Sequence, residues 1–277
     1  MQHKEVKFEG KKLCYRVIGE GSAIVLVHGF GEDGTIWKNQ YNAFPGYKLI
    51  VPDLPGSGSS ELIDDMSLEG MAVALEKLII HETAKIFYKE GEPGSVVMIG
   101  HSMGGYITLA FAENHPEMLK GFGLFHSSSF ADNDQKKETR KKGIAFIEQH
   151  GAFEFLKTSI PNLYAPAFQE KSREIIQEHL EGVRNFSAPV LVKYYEAMMN
   201  RPDRTNILNE TGLPVLFIMG RYDTAVPMED GLKQCHLPEV SYIHVLDQSG
   251  HMGMIEEAEK SNAILSDYLK NLQDHLT

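Results

Sequence analysis

Ser102, His251 and Asp223 are three residue types that together can drive attack on a carbonyl carbon. A serine hydroxyl is a weak nucleophile until a base takes its proton, and the base needs an acid that fixes its tautomer. Ser102 lies in Gly100-His101-Ser102-Met103-Gly104-Gly105, directly after the apolar run Ser95 to Ile99 and before a helical stretch from Ser102 to Asn114. In that strand-turn-helix context a G-x-S-x-G pattern predicts a sharp turn that exposes the serine at the C-terminal end of its strand. Glycines are needed two residues to either side, because a Cβ there would strike the neighbouring strand or helix. The helix start would lend unpaired N–H groups and its positive dipole end to a developing oxyanion.

Companion residues extend the pattern. His28-Gly29-Phe30-Gly31 follows the apolar run Ala23 to Val27, a position from which the Phe30 N–H can join the Met103 N–H as an oxyanion hole. Asp223, in Gly220-Arg221-Tyr222-Asp223, follows the run Pro214 to Met219. His251, in Ser249-Gly250-His251-Met252, follows the run Ser241 to Leu246. Both sit past the C-terminal ends of strands, where open α/β sheets place their ligands, and the order Ser, Asp, His is the one that accompanies a G-x-S-x-G elbow. Asp247 is the rival acid, but it lies only four residues before His251. Asp230 falls within a helical stretch. Of the 12 histidines, His28, His101, His126, His236 and His244 are assigned to structure rather than chemistry.

The elements that must position these residues alternate. Glu5 to Phe8 and Lys12 to Ile18 flank Glu9-Gly10-Lys11 and read as an antiparallel hairpin. Ala23 to Val27, Lys48 to Val51, Ser95 to Ile99, Gly121 to Phe125, Pro214 to Met219 and Ser241 to Leu246 are short apolar runs, as expected of parallel strands covered on both faces. Between them come helical patterns: Asp33 to Phe44, then Leu68 to Lys89 with Met71, Leu75, Leu78, Ile79, Ile86 and Phe87 on one stripe. A last helix runs from about Met254 to Leu272. The fold class is therefore α/β, with a mostly parallel doubly wound sheet.

One stretch breaks the alternation. From about Ser127 to Thr211 only helical patterns occur, such as Gln135 to Gln149, Glu170 to Asn185 and Ala188 to Met199, punctuated by prolines. This predicts an all-helical insertion at 127–211 in a core made of 1–126 and 212–277, too long for a plain connection. Its Phe153, Tyr164, Tyr194 and Met198, together with Met252, are candidates to line an apolar substrate pocket, with Phe155, Leu163 and Met199 as further roof residues.

Taken together, GHSMGG, HGFG, Asp53-Leu54-Pro55-Gly56-Ser57-Gly58-Ser59, GRYD and SGHM resemble the α/β-hydrolase superfamily in its capped serine esterase branch. The match spans nearly all of the chain outside the insertion. The resemblance implies the α/β-hydrolase fold, a helical cap over the site and a loop at Asp53 to Ser59 that shapes it. Ser57 departs from the histidine or tyrosine often found there, without touching the catalytic set. Relatives that cleave carbon–halogen bonds or epoxides carry Asp at the nucleophile position, so Ser102 argues against both activities.

Composition narrows the partners. A net charge of −11 repels polyphosphate, and the one basic exception, Lys136 to Lys142 (KKETRKK), reads as a solvated helix face, so no nucleic acid is expected. Two cysteines, Cys14 and Cys235, give neither a disulfide framework nor a metal pattern. No metal or organic cofactor is expected. The polar N-terminus and the lack of any long apolar run point to a cytoplasmic protein without a membrane span. The oligomeric state is left open.

The expected substrate is a small to medium, apolar carboxylic ester. A carbon–carbon bond hydrolase, an enol-lactonase, a thioesterase or a perhydrolase would use the same triad and differ in pocket polarity. Arg204 or Arg221 acting as a carboxylate clamp would favour an anionic substrate. From another class, a ligand-binding receptor on the same fold remains an alternative.

Overall fold

The computed structural model describes residues 1–83 and 95–274. Ile86 and Phe87, expected on the first long helix, lie outside the described residues. Eight strands form one sheet: β1 (Gln2–Phe8), β2 (Lys11–Ile18), β3 (Ser22–Val27), β4 (Tyr47–Pro52), β5 (Val96–His101), β6 (Leu119–Phe125), β7 (Val215–Gly220) and β8 (Ser241–Leu246). Their order is β1-β2-β4-β3-β5-β6-β7-β8. The β1–β2 hairpin and the β2–β4 pairing are antiparallel, and the remaining pairings are parallel.

Side chains alternate across the pleat, so the apolar runs serve two cores at once. In β3, Val25 and Val27 enter a cluster with α1 (Leu68–Thr83) and α2 (Met103–Asn114), through residues such as Leu75, Ile79, Ile107 and Phe111. Ile24 and Leu26 enter the opposite cluster with Trp37 and with α11 (Ala258–Asp274), through Leu265, Tyr268 and Leu269. Burial on both faces is why these strands read as unbroken apolar runs.

Two helical expectations are corrected in detail. Asp33 to Phe44 is a 3₁₀ helix over Gly34–Gln40 only, capped by the Asp33 side chain accepting from the Thr35 N–H. The C-terminal helix is two pieces, α10 (Gly253–Glu256) and α11, separated at Glu257. Between β6 and β7 lie six α-helices, α3 (Asp134–His150), α4 (Ala152–Ser159), α5 (Pro166–Lys171), α6 (Arg173–Gly182), α7 (Ala188–Asn200) and α8 (Thr205–Glu210), with a 3₁₀ helix at Ile160–Leu163 between α4 and α5. A further short helix, α9 (Met228–Leu232), follows β7. Among the described residues no helix is long and apolar enough to cross a membrane.

The strand order creates the place for a site. From β3 the chain goes to β4 on one side, and β5 then pairs with β3 on the other. At such a reversal the loops leaving two neighbouring strands diverge and open a crevice. The two loops here carry His28 to Gly31 and Ser102.

Candidate active site

Ser102 sits at φ 52°, ψ −118°, a left-handed backbone that a non-glycine residue adopts only when its surroundings hold it. The two flanking glycines show why the turn closes. A Cβ on Gly100 would lie 2.3 Å from the Gly104 carbonyl oxygen, and one on Gly104 would lie 2.5 Å from the Val27 carbonyl oxygen. The Ser102 N–H donates to the Phe125 carbonyl at 3.0 Å, tying the turn to β6.

His251 and Asp223 meet as expected. The His251 Nδ1–H donates to Asp223 Oδ2 at 2.7 Å. Asp223 Oδ1 accepts from the Ala225 and Val226 N–H groups at 2.9 and 2.8 Å. Burial alone would raise the Asp223 pKa, but His251 and His126 outweigh it and hold the carboxyl well below the usual range. The rival Asp247 is half exposed and paired with Arg221 at 2.5 Å and Lys260 at 3.5 Å. Ser102 and His251 line one cavity of about 450 Å³. Among the described residues no hydrogen bond joins their side chains, a gap that serine sites often close only when substrate binds.

Phe30 lines the same cavity. Its ring stacks on Tyr195 at 4.3 Å between centroids and meets Phe155 edge-on at 6.2 Å, so α4 and α7 pin the loop after β3. Met103 is the first residue of α2, where N–H groups have no acceptor within the helix.

Three carboxylates and imidazoles not assigned chemistry brace this constellation. Glu32 Oε2 accepts from the Gly29 N–H at 2.7 Å and lies 3.0 Å from His101 Nδ1. His101 Nε2 lies 2.9 Å from the His251 carbonyl oxygen. Both ring nitrogens face acceptors, so His101 is doubly protonated and links the loop after β3 to the loop carrying His251. Burial opposes this charge, but Glu32 raises the His101 pKa, and His101 in turn holds Glu32 at about 2 despite its own burial. Glu256 accepts from the backbone N–H groups of Gly250, Met252 and Ala165 at 2.9, 3.0 and 2.7 Å, while the His251 N–H donates to Leu163 at 2.6 Å. Burial raises the Glu256 pKa to about 7.

His126 lies behind Asp223. The Gly253 N–H donates to its Nε2 at 3.2 Å, which puts the ring proton on Nδ1, 3.2 Å from Asp223 Oδ2 but off a hydrogen-bonding line. Burial lowers its pKa to about 4, so it is neutral at pH 7. His126, Asp223 and His251 are the one set among the described residues with types and spacing to hold a metal ion. The nitrogens facing Asp223 carry protons rather than free lone pairs, which fits a proton-handling chain better than a ligand set.

Four of the five candidate pocket residues fall outside the cavity lining. Tyr194 is buried, its hydroxyl donating to the Pro55 carbonyl and bonded to Ser57 Oγ, both at 2.8 Å. Tyr164 stacks on Phe168 and bonds His179 Nδ1 at 2.9 Å. Phe153 lies under Arg184, and Met252 is packed in the core. Each is satisfied by packing within or beneath the helices. Met198 does line the cavity, with Phe155, Leu156, Ile160, Leu163 and Val226 completing an apolar wall. Neither candidate clamp reaches it: Arg204 is buried between Glu69 and Glu113, and Arg221 is held by Asp247.

The basic stretch on α3 is also corrected. Lys136, Thr139 and Arg140 turn toward the cavity, with Asn133 and Gln135, and form its polar wall. Alternation of charge with Glu138 suggested a solvated face, but the helix presents two of its cations inward.

An eight-stranded sheet with this order and a strained serine elbow after β5 define a hydrolase scaffold. A family model described as the alpha/beta hydrolase family matches residues 24–263, and the chain belongs to that family. The 2-hydroxy-6-oxononadienedioate/2-hydroxy-6-oxononatrienedioate hydrolase of Burkholderia vietnamiensis is 29% identical to it, over 94% of this chain and 91% of that protein. A malate-bound thermophilic esterase from Thermogutta terrifontis superposes with a TM-score of 0.89 at 26% identity, covering 98% of this chain and 99% of the esterase. The enol-lactonase from Burkholderia xenovorans has the same fold, with a TM-score of 0.86 at 20% identity over 96% of this chain and all of that one.

Proposed function

We propose that the protein is a serine hydrolase that cleaves small to medium carboxylic esters through an acyl-enzyme. Ser102 Oγ attacks the carbonyl carbon as His251 Nε2 takes its proton, and Asp223 holds the ring with Nδ1–H inward. The N–H groups of Phe30 and Met103 receive the oxyanion. Collapse expels the alcohol, protonated by His251, and a water activated by the same ring releases the acid. Residues 127–211 act as a cap on a core of 1–126 and 212–277. The observation that carries this reading is the 2.7 Å His251–Asp223 bond at the ends of neighbouring strands, with Ser102 on the same cavity.

Ser102→Ala should lower kcat on p-nitrophenyl butyrate by roughly 10³-fold or more, since only the oxyanion hole and binding remain. Fluorophosphonate labelling should mark Ser102 and vanish in that variant. Unchanged turnover after the substitution rejects the reading. Carbon–carbon bond hydrolysis on the same triad is the second reading, favoured by the name of the Burkholderia vietnamiensis relative. Faster turnover of a 2-hydroxy-6-oxo-dienoate than of any ester in a parallel assay would select it.

A further inference from the structure

The cavity has two unlike walls, and the polar one is charged. Asp132 is fully buried and takes two guanidinium groups: Arg140 through Nε at 2.5 Å and Nη2 at 3.3 Å, and Arg201 through Nη1 at 2.8 Å. One carboxylate against two fixed cations leaves one positive charge in excess. Arg201 is otherwise consumed, donating to the carbonyls of Phe130 and Met198 and lying over the Tyr106 ring. Arg140 is different. It lines the cavity with its guanidinium 5.4 Å from the Tyr195 ring centroid, its side chain is only 18% exposed, and its Nη1 has no acceptor among the described residues. Lys136, one helical turn earlier on α3, lines the same wall and reaches Asp230 at only 3.4 Å.

A poorly hydrated cation without full compensation is costly unless something neutralises it. Among the cavity's lining residues the one carboxylate, Glu32, is already bound to His101 and the Gly29 N–H. In a chain of net charge −11, gathering Lys136 and Arg140 on the wall of the site runs against the general field.

We propose that this wall is an anion subsite, in which Arg140, with Lys136 at its rim, receives a carboxylate carried by the substrate away from its scissile carbonyl. The inference rests on the serine hydrolase reading and narrows its substrate to half-esters of dicarboxylic acids and their analogues. The apolar wall of Phe155, Leu156, Ile160 and Leu163 then holds the hydrocarbon part, and the charged end selects orientation. With Nε and one Nη2–H engaged by Asp132, Arg140 keeps both Nη1–H groups and its second Nη2–H for an incoming carboxylate.

The test compares mono-p-nitrophenyl glutarate with its methyl-capped, neutral counterpart. The quantity read is the ratio of their kcat/KM values, so a general loss of activity cancels. Wild type should favour the anionic ester at least tenfold at low salt, falling as ionic strength rises. Arg140→Gln should bring the ratio near one, and Arg140→Lys should restore part of it. Should Arg140→Gln fail to fold, Lys136→Glu, at a more exposed position, should lower the ratio several-fold. Equal turnover of the two esters by wild type, or a ratio unchanged in the folded variants, overturns the subsite. Loss of neutral-ester turnover and of Ser102 labelling in wild type would instead overturn the hydrolase reading beneath it.

Discussion

The loops at the C-terminal edge of the sheet and the helices between β6 and β7 face each other across one cavity, yet they are held by different forces. At the sheet edge, backbone geometry and buried polar bonds do the positioning: a strained turn at Ser102, the Asp223–His251 bond, and Glu32 and His101 joining two loops. Across the cavity, aromatic stacking and helix packing shape the wall, as Phe30, Phe155 and Tyr195 do. The first arrangement tolerates little displacement, because each polar group there has one geometry in which it is satisfied. The second can be repacked, because dispersion contacts are many and individually weak.

Substitutions can set the two regions apart. Asp223→Asn should lower kcat about 10⁴-fold by favouring the wrong imidazole tautomer, while Asp247→Asn, at the rival acid paired with Arg221 in solvent, should leave kcat within a factor of two. Ester kinetics on both variants decide the matter, and a large loss at Asp247 would place the acid wrongly. His101→Asn should cost about 3–5 kcal/mol of stability, since it strands the buried Glu32. The His101 pKa is raised in the folded state, so its contribution is complete below the ordinary histidine value of 6.5 and is lost as pH climbs through the raised one. The gap in Tm between wild type and His101→Asn should therefore narrow as pH rises through that window. Tyr194→Phe should cost about 1–2 kcal/mol through its two lost hydrogen bonds, with KM for p-nitrophenyl butyrate unchanged. A raised KM would return Tyr194 to the pocket.

The sheet was legible because its strands, buried on both faces, read as apolar runs bounded by turns. The candidate triad was legible for a related reason: each member follows such a run within a few residues, and local turn chemistry restricts which residue types can stand there. The helical stretch hid its inward face. Tyr164 and Tyr194 have the size and polarity of pocket residues, but the same features let them bond His179 and Ser57 beneath the helices. His126 gave no signal at all, since its partner Gly253 is 127 residues away.

By itself the amino-acid sequence determined the α/β alternation, the elbow at Ser102 and the order of the candidate nucleophile, acid and base, since these depend on residue spacing within single strand-turn units. Only the tertiary structure decided which acid His251 touches, which histidines brace the site, and that Arg140 turns inward. Those outcomes depend on how helices far apart in the chain rotate and pack against one another. Periodicity says that a helix has faces, and only packing says which of them meets the cavity.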